Sequence, residues 1–445
     1  MIHQLSSTID EVHGAATFID RPRYGLRSRR IAWGILLLAL TLTVLEGAVR
    51  KWLIGSAFDS TSYLAYFSKD IAFGLLLLMP RRGVGEFHGE VFRRWLVPGC
   101  FLLIIGAAAS SLESVDLAGS ILTLRAVLLL PLLACLIMPR LRGMPLPWIV
   151  WSIGALTLIN FVLGVFQNQL PSSHELNRYA TDVMDIATSP TGVRATGTFS
   201  YITGMAVFSL VGVWCGMVGL SLARDIRQQI FAAATLVAGI ACGLASVSRG
   251  PVLMAALMLV AWLTFSEFWA SKKARALAGM LLLLGGAAVF DLTSTIFDLG
   301  QGLRLRVESA NDSVSDRALG QFDDALEAIR LAPFGSGLGT EQIGRSAFTM
   351  GMLANVTFES QLPRIVLELG VLGLIGFIVV SIGAVAALQA SKRYCADGGE
   401  KAALLATQLF LIASFFSNIV FNHVASAFAW LIFTAVMAAV PTERG

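Results

Sequence analysis

The chain has 445 residues, of which 56% are hydrophobic and only 14% are charged. Soluble domains carry about 25% charged residues, so this composition excludes an ordinary water-soluble protein and makes the bilayer the solvent. The formal net charge of +4 is too small to indicate a nucleic-acid partner. The five cysteines have no CxxC spacing and no even framework, so neither a disulfide nor a zinc site is expected.

Apolar segments recur along the whole chain, each near the ~20 residues that a bilayer core requires. They predict an all-α polytopic membrane protein of about twelve transmembrane helices, at residues 31–49, 62–80, 95–112, 118–138, 147–166, 200–221, 229–247, 251–270, 276–292, 364–388, 402–421 and 424–440. Because a long polar stretch precedes the first segment, that segment is expected to be retained as a signal anchor.

Five parts follow from this pattern. A cytoplasmic N-terminal tail (1–30) precedes membrane helices one to nine (31–292). A large periplasmic loop carrying short helices (293–363) separates them from helices ten to twelve (364–440), and a short cytoplasmic tail (441–445) ends the chain.

Orientation follows from the positive charges of the short loops. Every second loop is basic, with these residues: Arg21, Arg23, Arg27, Arg29, Arg30, Arg81, Arg82, Arg93, Arg94, Arg140, Arg142, Arg224, Arg227, Lys272, Lys273, Arg275, Lys392, Arg393 and Lys401. Basic loops remain in the cytoplasm, so both termini are predicted to be cytoplasmic. The opposite side then receives two longer loops, at about 167–199 and 293–363.

Arginines on that opposite side are not explained by the charge rule and are candidates for function. Arg194 precedes the sixth segment, Arg249 lies in the tight turn between the seventh and eighth, and Arg364 opens the tenth. A guanidinium can grip a phosphate through two parallel hydrogen bonds. Arg178 and Arg317, in the two loops, are predicted to bind substrate as well. The alternatives are a snorkelling interface residue for Arg194 and an incidental turn residue for Arg249.

One carboxylate of the large loop is suited to proton transfer. Glu359 lies just before Arg364 and could act as a general base, with a solvated loop glutamate as the alternative. Asp316 and Asp323 are other acids of the loop that could take this role. Glu368 is spaced i, i+4 from Arg364 and could pair with it, although charges inside a membrane are functional candidates by default.

The middle of the large loop predicts a helix running through Arg330. Its apolar face is expected to pack on the membrane domain and carries Phe322, Ala325, Leu326 and Ile329.

Residues 333–339 (Pro-Phe-Gly-Ser-Gly-Leu-Gly) follow this helix and lack the Lys-Ser/Thr of a P-loop. We interpret them as a turn in which Gly337 and Gly339 let the backbone approach a substrate closely.

Charged residues also gather at the outer ends of the first two segments: Glu46, Arg50, Lys51, Lys69 and Asp70. They predict a structural ion-pair cluster. Arg125, inside the fourth segment, needs a partner in the bundle and is expected to join it.

Four of these segments resemble, in order, the motifs of O-antigen polymerases and ligases: residues 194–199 (Arg-Ala-Thr-Gly-Thr-Phe), 248–250 (Ser-Arg-Gly), 333–339 and 359–370. The resemblance extends from roughly residue 190 to 390. Residues 46–52 (Glu-Gly-Ala-Val-Arg-Lys-Trp) are similar to a feature of an exopolysaccharide-polymerase branch of the family.

The resemblance implies a metal-independent glycosyl transfer at the periplasmic face of a bacterial inner membrane. The implied donor is a glycan on undecaprenyl pyrophosphate; a polymerase adds it to another lipid-linked repeat unit and a ligase to lipid A core. Membrane lipids, a flippase and a chain-length regulator are the other implied partners. In this scheme Arg194, Arg249 and Arg364 stabilise the leaving pyrophosphate, and Glu359 takes the proton of the acceptor hydroxyl.

One departure from the family pattern favours the polymerase. The ligases carry a histidine near the position of Glu359, and residues 293–363 contain none. The alternatives are a ligase, a transporter for a lipid-linked saccharide, and a non-catalytic subunit of a secretion complex. A transporter is expected to place its ionisable residues near mid-bilayer, in broken helices.

Overall fold

Helices make up nearly all of the part of the chain that the computed structural model describes. That part comprises residues 24–54, 60–80, 89–113, 115–180, 186–189, 192–266, 314–339, 361–416 and 423–440. The predicted all-α, polytopic membrane class is confirmed.

The α-helices of the described residues are α1 Tyr24–Ala48, α2 Ser60–Leu75, α3 Gly89–Ser110, α4 Leu117–Leu124, α5 Leu130–Ile137, α6 Leu146–Gln169, α7 Ile202–Leu222, α8 Ile226–Ala245, α9 Arg249–Phe265, α10 Val314–Leu331, α11 Gln361–Ser391, α12 Gly398–Phe416 and α13 His423–Ala439. One π-helical turn extends α1 (Val49–Ile54) and another joins α4 to α5 (Arg125–Leu129). Short 3₁₀ turns lie at Leu76–Leu78, Met138–Arg140, Glu175–Asn177 and Lys392–Tyr394. Two-residue strands pair antiparallel, β1 Thr188–Ser189 with β2 Gly192–Val193.

Eleven of the twelve predicted segments coincide with these helices, and the ninth, 276–292, lies outside the described residues. By length and composition, seven spans of the described part could cross a membrane: Ser28–Ile54, Glu90–Ser110, Gly119–Arg140, Leu146–Gln169, Ile202–Leu222, Ile226–Ala245 and Gln361–Tyr394. The boundaries differ slightly from those predicted, since α1 begins at Tyr24 and α11 at Gln361.

Glycines set the closest helix contacts, as is common between membrane helices. A Cβ on Gly212 of α7 would lie 2.8 Å from the Cα of Gly239 in α8. Between α3 and α11, a Cβ on Gly106 would lie 2.3 Å from the carbonyl oxygen of Leu369. The candidate site lies at one end of these two helix pairs.

Predicted outer and predicted cytoplasmic segments lie at opposite ends of the bundle. At one end, which we call the motif end, Lys51 contacts Gly197, and Asp116 pairs through its backbone with Leu338. At the other end the amide of Gly143 donates to the carbonyl of Ala438 at 2.9 Å. This separation agrees with the alternation predicted from the charged loops.

A cavity of about 830 Å³ opens at that second end, between α6, α7, α12 and α13. Val150 and Leu404 contribute apolar surface to it, and Arg224, Asp397 and Glu400 contribute charges of both signs. It lies at the opposite end of the bundle from residues 194–199.

Helix α10 packs on α11, and the predicted face is confirmed in part. Ala325 is buried, and Ile329 packs against the cluster in which Ala328 is fully buried with Val366 and Leu367. Phe322 and Leu326, by contrast, are 47% and 55% exposed. The small side chain of alanine lets the two helices approach closely. The contact is therefore centred on Ala328 rather than on the largest apolar residues.

Candidate active site

Arg194 lies against the turn that joins α8 to α9. Its Nε donates to the carbonyl of Ser246 at 3.1 Å, and Nη2 donates to the carbonyl of Val247 and the Oγ of Ser248, both at 3.4 Å. The residue after Ser248 is Arg249, half-buried as the first residue of α9. The structure thus brings two of the predicted arginines into one group, Arg194 with residues 246–249, which we call the arginine turn.

The arginine turn is strained. Val247 has a φ of 50°, a left-handed conformation in which a β-branched residue is an outlier. Such strain costs about 1–3 kcal/mol and persists only where the surroundings fix it, often at functional sites. Here the carbonyls of Ser246 and Val247 both accept from Arg194, and the amide of Val247 donates to the carbonyl of Leu244.

Residues 196–198, just after Arg194, are held by polar side chains of α6. The Oε1 of Gln167 accepts from the amides of Thr196 and Gly197 at 3.0 and 2.7 Å. The Oδ1 of Asn160 accepts from the amide of Thr198 at 2.9 Å. Gly197 has a φ of 56°, and a Cβ there would lie 2.3 Å from this Oδ1. The close approach that this glycine permits is therefore to the protein's own Asn160.

Arg178 belongs to the loop that covers this segment. Its neighbour Asn177 donates through Nδ2 to the carbonyls of Leu170 and Pro171, which folds the loop back on the end of α6. The hydroxyl of Tyr179 accepts from the Ala187 amide at 2.9 Å. Burial raises the pKa of Tyr179 to about 12, so this hydroxyl stays neutral at physiological pH. A contact between Arg178 and substrate stays a prediction.

The ion-pair cluster predicted beside this segment is confirmed. Glu46 binds Arg50 at 3.1 Å and Lys69 at 2.8 Å. Arg125 donates to both carboxylate oxygens of Asp70, at 2.9 and 2.8 Å. Breaking a buried pair of this kind is strongly destabilising because one charge is left uncompensated, so these residues support the motif end.

Lys51 departs from the prediction that placed it in this cluster. Its Nζ donates to the Oγ1 of Thr196 at 2.9 Å and to the carbonyl of Gly197 at 2.7 Å. The physical reason is geometric. Lys51 lies in the π-helical turn Val49–Ile54 at the end of α1, and its long side chain extends from there to residues 196–197.

The glycine-rich segment 333–339 fills a break in α11. Gly370 has φ 66° and ψ −175°, which interrupts the helix. In a continuous helix the amide of Val371 would donate to the carbonyl of Leu367. Instead, Ser336 donates to Leu367 at 2.7 Å, and Val371 donates to Pro333 at 2.9 Å. We call residues 333–339 the glycine plug, because their backbone replaces the hydrogen bond that the break removes.

The far end of the glycine plug is fixed by α3, α4 and α11. The Gly337 amide donates to the Oγ of Ser110 at 3.1 Å. The Gly339 amide donates to Oε2 of Glu368, which also accepts from the Oγ1 of Thr123 at 3.1 Å. Both glycines are buried, so the close approach they permit is to the protein's own helices. Their predicted role in substrate binding stays a prediction.

Arg364 and Glu368 lie on the first half of α11 and are both buried. Because Glu368 binds Gly339, the helix that carries Arg364 and the glycine plug form one unit. Arg317 lies in α10. Glu359, the predicted base, lies outside the described residues, and Asp323 is exposed on α10.

Several supporting residues were missed at the level of sequence: Ser110, Thr123, Asn160 and Gln167. An amide or hydroxyl inside an apolar span needs a hydrogen-bond partner, and this signal points to Asn160 and Gln167 in α6. Among the residues described, no three His, Cys, Asp or Glu side chains lie together as metal ligands would.

Comparison with known proteins finds a similarity that includes part of this site. Residues 234–378 match the family model described as O-antigen ligase. Over these residues the match agrees with the predicted resemblance to O-antigen polymerases and ligases. It includes Arg249, the glycine plug and Arg364, while Arg194 precedes it. No curated protein matches the chain. The match supports a glycosyltransferase-like activity of the O-antigen ligase or polymerase type.

Proposed function

We propose that the protein is a metal-independent polysaccharide polymerase of a bacterial inner membrane, with both termini in the cytoplasm. It transfers a glycan from undecaprenyl pyrophosphate to a lipid-linked repeat unit at the periplasmic face. The observation that carries this proposal is the contact of Arg194 with the turn that ends in Arg249, which brings these two arginines to one place at the motif end.

The proposed reaction requires fixed positive charge near the leaving pyrophosphate. The acceptor hydroxyl attacks the anomeric carbon, the bond from that carbon to the pyrophosphate oxygen breaks, and the configuration inverts. Negative charge develops on the leaving pyrophosphate, where preorganised donors are most effective. Arg194 is preorganised by three oxygen acceptors, and α9 begins at Arg249, so the positive end of the helix dipole there also favours an anion.

The remaining roles follow from the same scheme. Arg364 is the third proposed contact of the pyrophosphate, and Arg178 and Arg317 bind the glycan or its lipid carrier. Glu359 takes the proton of the acceptor hydroxyl. Glu359 precedes α11 by two residues in the sequence, and that helix is fixed by the contact between Glu368 and Gly339 of the glycine plug.

The decisive experiment supplies purified protein in lipid nanodiscs with the lipid-linked repeat unit as the sole glycan. A polymerase produces a ladder of products. Arg249→Ala is expected to abolish the ladder while the protein still inserts, and Arg227→Ala, an exposed arginine of the opposite end, serves as the matched control. A ladder of unchanged length and yield from Arg249→Ala overturns the assignment of this arginine.

A ligase is the second candidate, because the matched family is described as O-antigen ligase. A ligase makes no ladder from repeat units alone and needs lipid A core as acceptor. Glu359→Gln tests the base in either case: normal turnover by this variant removes Glu359 from the role and leaves Asp316 or Asp323 to be tested.

A transporter is the third candidate, because the break in α11 is a feature of transporters. In transporters the unwound backbone coordinates the cargo, whereas the glycine plug satisfies the backbone of this break. Movement of the lipid-linked saccharide across a bilayer without any change in glycan length would favour the transporter.

A further inference from the structure

We propose that Lys51 is a positioning residue for Arg194 and adds a buried positive charge behind the arginine turn. This inference rests on the proposed function, since it assigns Lys51 to the group that stabilises the leaving pyrophosphate. It takes Lys51 out of the structural ion-pair cluster, in which its neighbour Arg50 remains.

The contacts of Lys51 are directed at one segment. Its side chain is fully buried, and two of its three N–H donors bind the Oγ1 of Thr196 and the carbonyl of Gly197. Its Nζ also lies 4.6 Å from the centre of the Trp52 ring, and the indole N–H of Trp52 donates to the carbonyl of Glu175. The lysine therefore ties the end of α1 to the two residues that follow Arg194 and Ala195.

A neutral side chain could supply the same geometry at lower cost. Gln167 already binds the amides of Thr196 and Gly197, and it carries no charge. Burying an ammonium group is costly unless an opposite charge is near. Lys69, also fully buried, meets that requirement with Glu46. Within the described part of the chain, no carboxylate lies within ion-pair distance of Lys51.

A protonated Lys51 would have a use at this place. Thr196 is two residues from Arg194, whose guanidinium holds the turn that ends in Arg249. Between them the amide of Ala195 donates to the carbonyl of Ala245 at 3.0 Å, so a shift of residues 196–197 is transmitted to the end of α8. Lys51 thus fixes the position of Arg194 and, in its protonated form, adds positive potential where the anionic leaving group would lie.

Three variants of Lys51 separate position from charge. Lys51→Met removes both, Lys51→Gln keeps a hydrogen-bond donor without the charge, and Lys51→Arg keeps both. Lys69→Met is the matched control, because it removes an equally buried lysine of the same end that binds Glu46 rather than the Arg194 segment.

Two measurements are made on each variant in nanodiscs. The first is kcat and KM for polymerisation of the lipid-linked repeat unit. Lys51→Met is expected to lower kcat on the order of 100-fold with a much smaller change in KM, as displaced catalytic groups do. Lys51→Gln is expected to lower kcat as well, and Lys51→Arg to restore part of it. Wild-type kcat in Lys51→Gln would overturn the role of the charge.

The second measurement is hydrogen–deuterium exchange of the peptide covering residues 195–199. Lys51→Met is expected to accelerate exchange at Thr196 and Gly197, whereas Lys69→Met, although less stable to heat, leaves it unchanged. Unchanged exchange in Lys51→Met overturns the positioning role. Exchange does not depend on turnover, so a wild-type protein that makes no polymer would refute the proposed function and still leave this test decisive.

Discussion

The arginine turn and the glycine plug lie at the same end of the molecule and are held by opposite means. In the arginine turn, a long charged side chain reaches across to backbone carbonyls. In the glycine plug, one backbone segment replaces the hydrogen bond of another, and the absence of side chains lets it fit. The arginine turn provides positive charge, whereas the glycine plug provides a close fit between backbone segments. We therefore expect the arginine turn to be impaired by substitutions that remove side-chain atoms, and the glycine plug by substitutions that add them.

Among the variants that test this comparison, Arg194→Ala is expected to have the largest effect. It removes the donors that fix the strained turn and one of the proposed contacts of the leaving group. Loss of a preorganised donor of this kind lowers the rate about 100- to 1,000-fold. Arg194→Lys should recover little, because an ammonium group is a point charge that cannot reproduce the fork of a guanidinium.

The measurement for Arg194 is the initial rate of polymer formation per amount of inserted protein. Arg227→Ala, at the opposite end, is the control. A rate for Arg194→Ala close to that of the wild type would show that residues 246–249 support the reaction without Arg194.

Gly339→Ala tests the glycine plug by adding a single methyl group. The new Cβ would lie 2.2 Å from the amide nitrogen of Ser120 and 2.5 Å from the carbonyl oxygen of Asp116, which are backbone atoms that cannot move aside. Its φ of 84° adds strain of about 1–2 kcal/mol to an overpacking cost of about 1–3 kcal/mol. We expect the plug to leave its site, which limited proteolysis near residues 333–339 and thermal unfolding would both detect.

Gly320→Ala is the matched control for this addition. Gly320 lies in α10, and within the described part of the chain no atom beyond the neighbouring backbone of its own helix lies within 4 Å of the added Cβ. Alanine should therefore stabilise the helix by up to about 1 kcal/mol. Equal behaviour of the two variants would refute the tight fit of the plug.

These two devices differ in how far the sequence predicts them. The arginine turn was predicted in part, because the order of the motifs and the tight turn before Pro251 placed Arg194 and Arg249 at the ends of neighbouring spans. The orientation of Arg194 was not predictable, since it depends on carbonyls that a strained Val247 presents. The membrane helices themselves follow directly from hydropathy.

The glycine plug was predicted only as a turn. Its partner is the break at Gly370, and a lone glycine in an apolar span is compatible with an unbroken helix. The complementarity of the two segments arises from the tertiary fold, as does the packing of α10 through Ala328. The contacts of Lys51 were missed for a similar reason. Its neighbour Arg50 joins the ion-pair cluster, and the sequence does not show that the π-helical turn containing both residues directs their side chains to different partners.

Glu368→Gln measures what charge contributes to the glycine plug. The amide oxygen of glutamine can still accept from Gly339 or Thr123, so the shape of the contact survives. The bond from Gly339 loses its charge assistance, and neutral hydrogen bonds are roughly half as strong, so we expect a loss of about 1 kcal/mol in thermal unfolding experiments. Glu368→Leu, which leaves the buried Gly339 amide without this acceptor, should cost more. A loss of polymerisation in Glu368→Gln without any change in stability would instead place this carboxylate in the chemistry.

Ser248→Ala is expected to have the smallest effect and sharpens the comparison most. The Oγ of Ser248 accepts from Arg194 at 3.4 Å and donates to the carbonyl of Ser246 at 3.3 Å, and both distances are long for hydrogen bonds. Although Ser248 is the N-cap residue of α9, its side chain makes no capping hydrogen bond. Removing the hydroxyl should cost about 0.5 kcal/mol, or about twofold in rate. A much larger loss of kcat with normal stability would mean that this hydroxyl contacts the substrate, and the arginine turn would then contribute more than charge.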